Sequence, residues 1–440
     1  MERPYDLRRS LRLRDLILYG IVLVQPTAPM PVFGVIYEKS HGHVTLTILL
    51  ALFAMLFTAI SYGRMARAYP KGGSAFLYVG KELHPGLGYV TGWGLILDYV
   101  INPLICTIWC STAAMNFLPH IPYVAWVVGF VVLFTMLNCN GIETSARINA
   151  LVAASLGLII VWILAAAIHY IVTVLHPGAA GFLAPFQANS PGDHAAIMRG
   201  TAAAVLAYIG FDGISTLADE AHNPHRDISR AIVMTCFATG ILGAIEVYFA
   251  EVAWPRSTPF PEINTAYIFV AGRVGGPTLF AVANFALLIA TVGSGMASQL
   301  GAARLLYAMG RDGALPSRFF GEVDTRHHIP RNNVILIGLV CLVGALLFSF
   351  SLGADLLNFG ALLAFIGVNL SSAVRAWRQT SGSRLSRLLP LVSSTAGFLS
   401  CCFLWWNLSP KAKAAGCAWT ALGLVLFAVR RNTRQASRPS

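Results

Sequence analysis

With 440 residues, 56% of them hydrophobic and only 11% charged, and a mean hydropathy of +0.66, the chain lies outside the range of soluble globular domains and reads as an integral membrane protein. The formal charge of +12 is explained by topology, through where the basic residues fall, so nucleic acid is not indicated as a partner. Cys106, Cys110, Cys139, Cys236, Cys341, Cys401, Cys402 and Cys417 are scattered through apolar stretches with no CxxC pair or nearby histidine ligands. That pattern indicates neither zinc nor a disulfide framework and leaves them as small buried hydrophobes.

Arg3, Arg8, Arg9, Arg12 and Arg14 mark a cytoplasmic segment over residues 1–15. The apolar stretch after it is too long for a cleavable signal and has no small-residue cleavage site, so it is retained as the first span. Runs of about 20 apolar residues, the length that crosses a bilayer, fall at 16–36, 44–63, 87–117, 122–139 and 148–175. A second five fall at 200–219, 229–253, 277–307, 333–350 and 354–373, followed by two more at 388–408 and 414–430. The expectation is an all-α membrane protein of twelve transmembrane helices. A single domain covers 16–430, with repeats over 16–175 and 200–373, two last helices over 388–430 and a cytoplasmic tail over 431–440. With the N-terminus inside, the inside segments hold 25 of the 31 Lys and Arg residues, which is the asymmetry the positive-inside rule expects with both termini cytoplasmic.

Two of these segments are interrupted. The first contains Gln25-Pro26-Thr27-Ala28-Pro29-Met30-Pro31, and the sixth contains Tyr208-Ile209-Gly210-Phe211-Asp212-Gly213. Prolines and paired glycines free backbone groups that hydrocarbon cannot satisfy, so each break is expected to line a polar, protein-enclosed cavity. The broken segments are the first members of the two groups of five. That placement fits inverted repeats sharing a midplane site, as in transporters, and rests on hydropathy and break position.

Carboxylates within spans cost about 2.5 to 3.5 kcal/mol on insertion scales, so each needs a reason. Asp98 lies well inside the third span with Asn102 and Pro103 one turn on and no cationic residue within a helical turn. Asp212 reads two ways, as a cap that complements the dipole of a restarted half-helix or as a substrate contact. Glu246 and Glu251 fall towards the outer end of the seventh span, where snorkelling to the interface accounts for them. Around the breaks, Tyr99, Tyr208, Phe211, Trp93 and Phe33 offer ring faces to an alkylammonium group. Motifs of enzymes are absent, with no HExxH, GxSxG, GxGxxG or P-loop, and no soluble output domain of a sensor remains.

Phe57-Thr58-Ala59-Ile60-Ser61-Tyr62-Gly63 with Tyr69-Pro70 and Gly73-Ser74-Ala75, then Leu97-Asp98-Tyr99 and Gly210-Phe211-Asp212 with Asp219-Glu220, resemble the amino acid–polyamine–organocation permeases. So do Ser294-Gly295-Met296-Ala297-Ser298, the run from Arg304 to Asp312, Asn358-Phe359-Gly360-Ala361-Leu362 and Asn369-Leu370-Ser371. The resemblance runs from about residue 8 to 430, and within the superfamily it is strongest to the bacterial putrescine importers. It implies the five-plus-five inverted-repeat, LeuT-like fold with broken helices 1 and 6. It further implies proton-motive uptake across the cytoplasmic (inner) membrane, with substrate between helices 1, 3, 6, 8 and 10. Asn223-Pro224-His225-Arg226-Asp227-Ile228 departs from the putrescine importers towards the general permease pattern. Where related amino acid permeases present bare amides in the first helix, Pro26, Pro29 and Pro31 remove three donors here.

The expected substrate site is Thr27, Asp98, Tyr99, Tyr208, Gly210, Phe211, Asp212 and Gly213, for a small cationic amine such as putrescine. The alternative is an amino acid whose carboxylate meets the amides around Thr27. Some proton-coupled relatives carry a lysine in the fifth span; here residues 148–175 have none, and Ser155 lies near that position. Ser294 and Ser298 are hydroxyl candidates for a sodium ion, and His169 is a possible proton relay. A proton or sodium gradient drives the cycle, with no prosthetic group. The partners are the bilayer and the small-molecule substrate, with no obligate protein partner evident.

Overall fold

In segments this apolar the backbone can satisfy its polar groups only internally, and helices do so turn by turn. The computed structural model describes residues 11–70, 74–140, 146–188, 191–219, 221–256, 258–311, 316–324, 329–379 and 384–436. Arg3, Arg8, Arg9, Lys71, Gly73, Glu220, Asp312, Arg326 and Arg438 lie outside them. Among the described residues the chain is helical, and its β-pairing is one isolated bridge from Leu11 to Ala221.

The halves of the first interrupted segment are α1 (Leu13–Val24) and α2 (Pro29–Lys39). They are followed by α3 (Val44–Ala68), α4 (Ser74–Glu82), α5 (Pro85–Met115), α6 (Tyr123–Cys139) and α7 (Ala146–Tyr170), the last extended by a π-turn over Ile171–Leu175. The short α8 (Ala179–Leu183) precedes α9 (Asp193–Ala204), which runs into 3-10 stretches at Val205–Tyr208 and Phe211–Asp219. Then come α10 (Pro224–Ala253), α11 (Ala266–Arg311), α12 (Ser317–Phe320), α13 (Arg331–Leu347), α14 (Phe350–Arg378), α15 (Arg384–Trp406) and α16 (Pro410–Ala436).

Each of the twelve apolar segments overlaps a helix. Among the described residues eight helical stretches are long and apolar enough to cross a membrane, and α6 and α13 are shorter apolar helices. Three differences from the sequence reading have local causes. The nine-residue α4 forms in an expected loop. A helical stretch from Ala266 precedes the eighth segment, where Gly276 turns the backbone at φ +72° and Pro277 restarts the helix at the expected position. The second half of the sixth segment is wound as 3-10 helix.

The helices group into two units, Met1–Gly92 with Gly178–Val252 and Ala361–Leu408, and Trp93–Pro177 with Ala253–Gly360 and Ser409–Ser440. In the first unit small residues let helices approach closely. A Cβ on Gly20 would fall 2.4 Å from Ile214 and 2.6 Å from Thr235 Oγ1, which seats α1 on the 3-10 stretch and on α10. Arg64 donates to Pro390 O and Ser393 Oγ at 2.7 Å each, and Asn369 Nδ2 to Thr58 Oγ1 at 2.9 Å, tying α3 to α15 and α14.

In the second unit Asn138 Nδ2 donates to Met296 O (3.0 Å) and Gln299 Oε1 (2.9 Å), while Gln299 Nε2 reaches Thr135 Oγ1 (3.0 Å) and Val334 O (3.2 Å). This knot joins α6, α11 and α13 with each amide nitrogen bonded, the condition for polar groups inside a membrane bundle. Trp93 and Trp419 stack at 4.9 Å, and each indole N–H donates to the other's carbonyl at 2.8 and 3.0 Å.

The end of α14 is fastened to α4. Arg375 Nη1 lies 2.5 Å from Glu82 Oε1, Tyr69 Oη donates to the same oxygen at 2.9 Å, and the Arg375 guanidinium sits 5.4 Å from the Tyr69 ring centre. Partial burial, and then the bond to Glu82, push the Tyr69 phenol above its ordinary value. Because the Glu82 side chain is 7% exposed and Arg375 47%, Arg375→Gln is expected to cost about 1 to 2 kcal/mol, between exposed and buried ion pairs. A double-mutant cycle with Glu82→Gln, read by thermal unfolding in detergent, should recover most of that cost as coupling.

Candidate functional site

α1 stops because Pro26 cannot extend it, and Gln25 turns into the left-handed region at φ +59°, its N–H still bonded to Ile21 O at 3.0 Å. Ala28 N–H then bonds Gln25 O (2.9 Å) and Met30 N–H bonds Thr27 O (3.0 Å). Pro26, Pro29 and Pro31 have no N–H to offer. Across residues 25–31 the Thr27 amide is therefore the one backbone N–H without a backbone acceptor among the described residues, and Thr27 itself is 3% exposed.

At the second break Gly210 adopts φ +125°, a conformation that a side chain would strain. Its N–H reaches Asp212 Oδ1 at 3.3 Å, and Gly213 N–H closes a turn on Gly210 O at 3.0 Å. Ser215 Oγ donates to Asp212 O at 2.6 Å and lies 3.1 Å from Ser74 Oγ, pinning the tight winding beyond the break. The Asp212 carboxylate is half-buried and accepts from the Gly210 amide, with no cationic side chain paired to it among the described residues.

The aromatic residues of this break are packed into helix. Tyr208 is 1% exposed, donates to Ile48 O at 2.7 Å, and its ring lies where a Cβ on Gly240 would come within 2.8 Å. Phe211 is fully buried, stacked on Phe365 at 5.5 Å and edge-on to Tyr62 at 5.9 Å. Both brace the break. Phe33 is likewise buried, against Tyr37 at 6.1 Å, and Trp93 is engaged with Trp419.

In the second unit Asp98 is half-buried on α5, and Tyr99 is 46% exposed with its ring against Gly301 of α11. One turn beyond Asp98, Asn102 Nδ2 donates to Ser298 Oγ at 2.9 Å. The fold thus brings Ser298 to the helix of Asp98, and Ser294 lies one turn earlier on α11, half-buried. Ser155 is exposed on α7 and borders an apolar cavity of about 560 Å³ lined by Phe117, Ile159, Phe285 and Ile289. His169 is exposed. No group of three His, Cys, Asp or Glu residues is arranged to hold a metal among the described residues.

Two expectations fail. Glu246 and Glu251 do not snorkel: they are 1% and 4% exposed, and Glu251 Oε2 accepts from Thr45 N (2.9 Å) and Thr45 Oγ1 (2.8 Å). Glycines 240 and 243, which let neighbouring elements press onto the same helix, are the signal in the sequence that this face is buried. The cysteines are free thiols and mostly buried, but Cys417 is exposed. Sequence reasoning also passed over a polar cluster ahead of α3, where Asp193 Oδ2 lies 3.7 Å from His43 Nε2 and Asp193 Oδ1 lies 3.5 Å from His41 Nδ1.

The family model for amino acid permeases matches residues 32–409. The chain is 32% identical over 431 residues to the low-affinity putrescine importer PlaP of Escherichia coli (strain K12), covering 96% of this chain and 94% of that protein. It is 27% identical to the branched-chain amino acid permease BcaP of Lactococcus lactis subsp. cremoris, covering 97% and 95%. To the vacuolar cationic amino acid transporter 4 of Arabidopsis thaliana it is 26% identical, covering 89% and 67%.

Proposed function

The chain belongs to the amino acid permease family, and we propose that it imports a small cationic amine of the putrescine type across the cytoplasmic membrane by proton-coupled alternating access. The reading takes twelve crossings in a five-plus-five inverted repeat with both termini cytoplasmic. Asp98 and Asp212 are each an anionic partner for an ammonium group. Tyr99 supplies an aromatic wall, worth up to about 2 kcal/mol when dry. Thr27 and the backbone from Gly210 to Gly213 add polar contacts, and Tyr208 and Phe211 hold the second break in shape. Ser294 and Ser298, with Ser155, are the hydroxyls available if sodium replaces the proton as coupling ion.

The observation that carries the amine reading is the use of amides at the first break. A substrate carboxylate needs donors, and residues 25–31 have a single backbone amide without a backbone acceptor among the described residues, whereas the two half-buried acids favour a cation. The similarity to a putrescine importer agrees with this. A second reading, uptake of a neutral amino acid, draws on the similarity to a branched-chain amino acid permease.

Purified protein in liposomes separates the two. Labelled 1,4-diaminobutane should accumulate under an imposed pH gradient and be displaced by unlabelled diaminobutane but not by leucine or alanine. Uptake of leucine that diaminobutane fails to inhibit would overturn the amine reading and establish the second.

A further inference from the structure

Glu246 is 1% exposed, and neither of its carboxyl oxygens has a hydrogen-bond partner among the described residues. An ionised carboxylate without donors costs several kcal/mol in such surroundings, about 2.5 to 3.5 even on the mildest scale. A carboxylic acid that keeps its proton avoids most of this.

Its place on α10 is as telling as its isolation. A Cβ on Gly240 would fall 2.8 Å from the Tyr208 ring, and one on Gly243 would fall 2.7 Å from Pro29, the first residue of α2. Both breaks of this unit therefore lean on α10, and Glu246 comes next at the same i, i+3 spacing, on the adjoining turn. α1, α2, α3 and the stretch Val205–Tyr208 pack on this helix through Gly20, Gly63, Gly240 and Gly243. Two titratable neighbours are already bonded elsewhere, Tyr208 to Ile48 O and Glu251 to Thr45. Tyr37, Glu38 and Lys39 of α2, Asp15 and Tyr19 of α1, Tyr62 of α3 and His43 ahead of it are other titratable groups on the elements packed against α10.

We propose that Glu246 is the proton-binding site of the transport cycle. When the half-helix at Pro29 or the stretch at Tyr208 moves, the glycine face of α10 opens to water and the carboxyl group exchanges its proton with that water. When they close, the proton is enclosed with the acid and crosses with it. Movement of the breaks and protonation are thus one event, and a proton taken from one side is returned to water on the other. The inference rests on the proton-coupled reading above.

The test uses the full-length protein in liposomes with the membrane potential clamped at zero. For one proton per substrate, a one-unit pH gradient is worth about 1.4 kcal/mol and sustains about tenfold accumulation. Glu246→Gln should equilibrate without accumulating, yet keep substrate counterflow, which needs no net proton movement, and its counterflow should lose pH dependence. Wild-type accumulation by Glu246→Gln would overturn the proposal. If that variant shows neither activity, Glu246→Asp decides: recovered gradient-driven uptake with a displaced pH profile supports the site, and an inactive aspartate variant refutes it. Failure of the wild type to accumulate under a pH gradient would instead refute the proton-coupled reading, and the proposal with it.

Discussion

Asp98→Asn should reduce amine uptake at least a hundredfold in kcat/KM, a loss of about 3 kcal/mol. The substitution keeps the size of the side chain and one acceptor oxygen, exchanges the other oxygen for an NH2 donor, and removes the charge. Losing one partner of a desolvated ion pair costs about 3 to 5 kcal/mol, and the half-buried position of Asp98 places the effect at the low end. Initial rates over a range of diaminobutane concentrations measure it. If Asp98 serves only to pair with a neighbouring helix, the variant will unfold at a lower temperature while each folded molecule transports at the normal rate.

Gly360→Ala is expected to give the largest loss of stability for the smallest change in mass. A Cβ there would fall 2.4 Å from the carbonyl oxygen of Gly94 and 3.3 Å from its carbon. The obstacle is backbone, so no rotamer relieves it and α14 must retreat from α5. Overpacking of this kind costs about 1 to 3 kcal/mol and sometimes more. Thermal unfolding in detergent should show a drop of several degrees, while Gly129→Ala, where a Cβ meets nothing within 4 Å, should unfold like the wild type. Equal behaviour of the two variants would mean that the close approach of α5 and α14 is not maintained.

Much of this molecule is legible in its sequence because hydrocarbon imposes one rule on every residue. Apolar length marks the helices, and the two clusters that break the rule, Gln25 to Pro31 and Tyr208 to Gly213, mark the interrupted helices. What stayed hidden depends on neighbours distant in sequence. Tyr208 and Phe211 look like substrate walls until Ile48, Gly240 and Phe365 are seen to enclose them. Glu246 reads as an interfacial residue until the packing of α2 and Tyr208 on its helix becomes visible. The second half of the sixth segment winds as 3-10 helix through Ser215, whose hydroxyl is taken by Asp212 O, a local competition that periodicity does not register.

The reciprocal bonds between Trp93 and Trp419 have an optical consequence. Two indoles held face to face at 4.9 Å couple their excited states, so the near-ultraviolet dichroism of this chain carries a signature of α16 seated on α5. The protein thereby reports the docking of its own final helix without an attached dye.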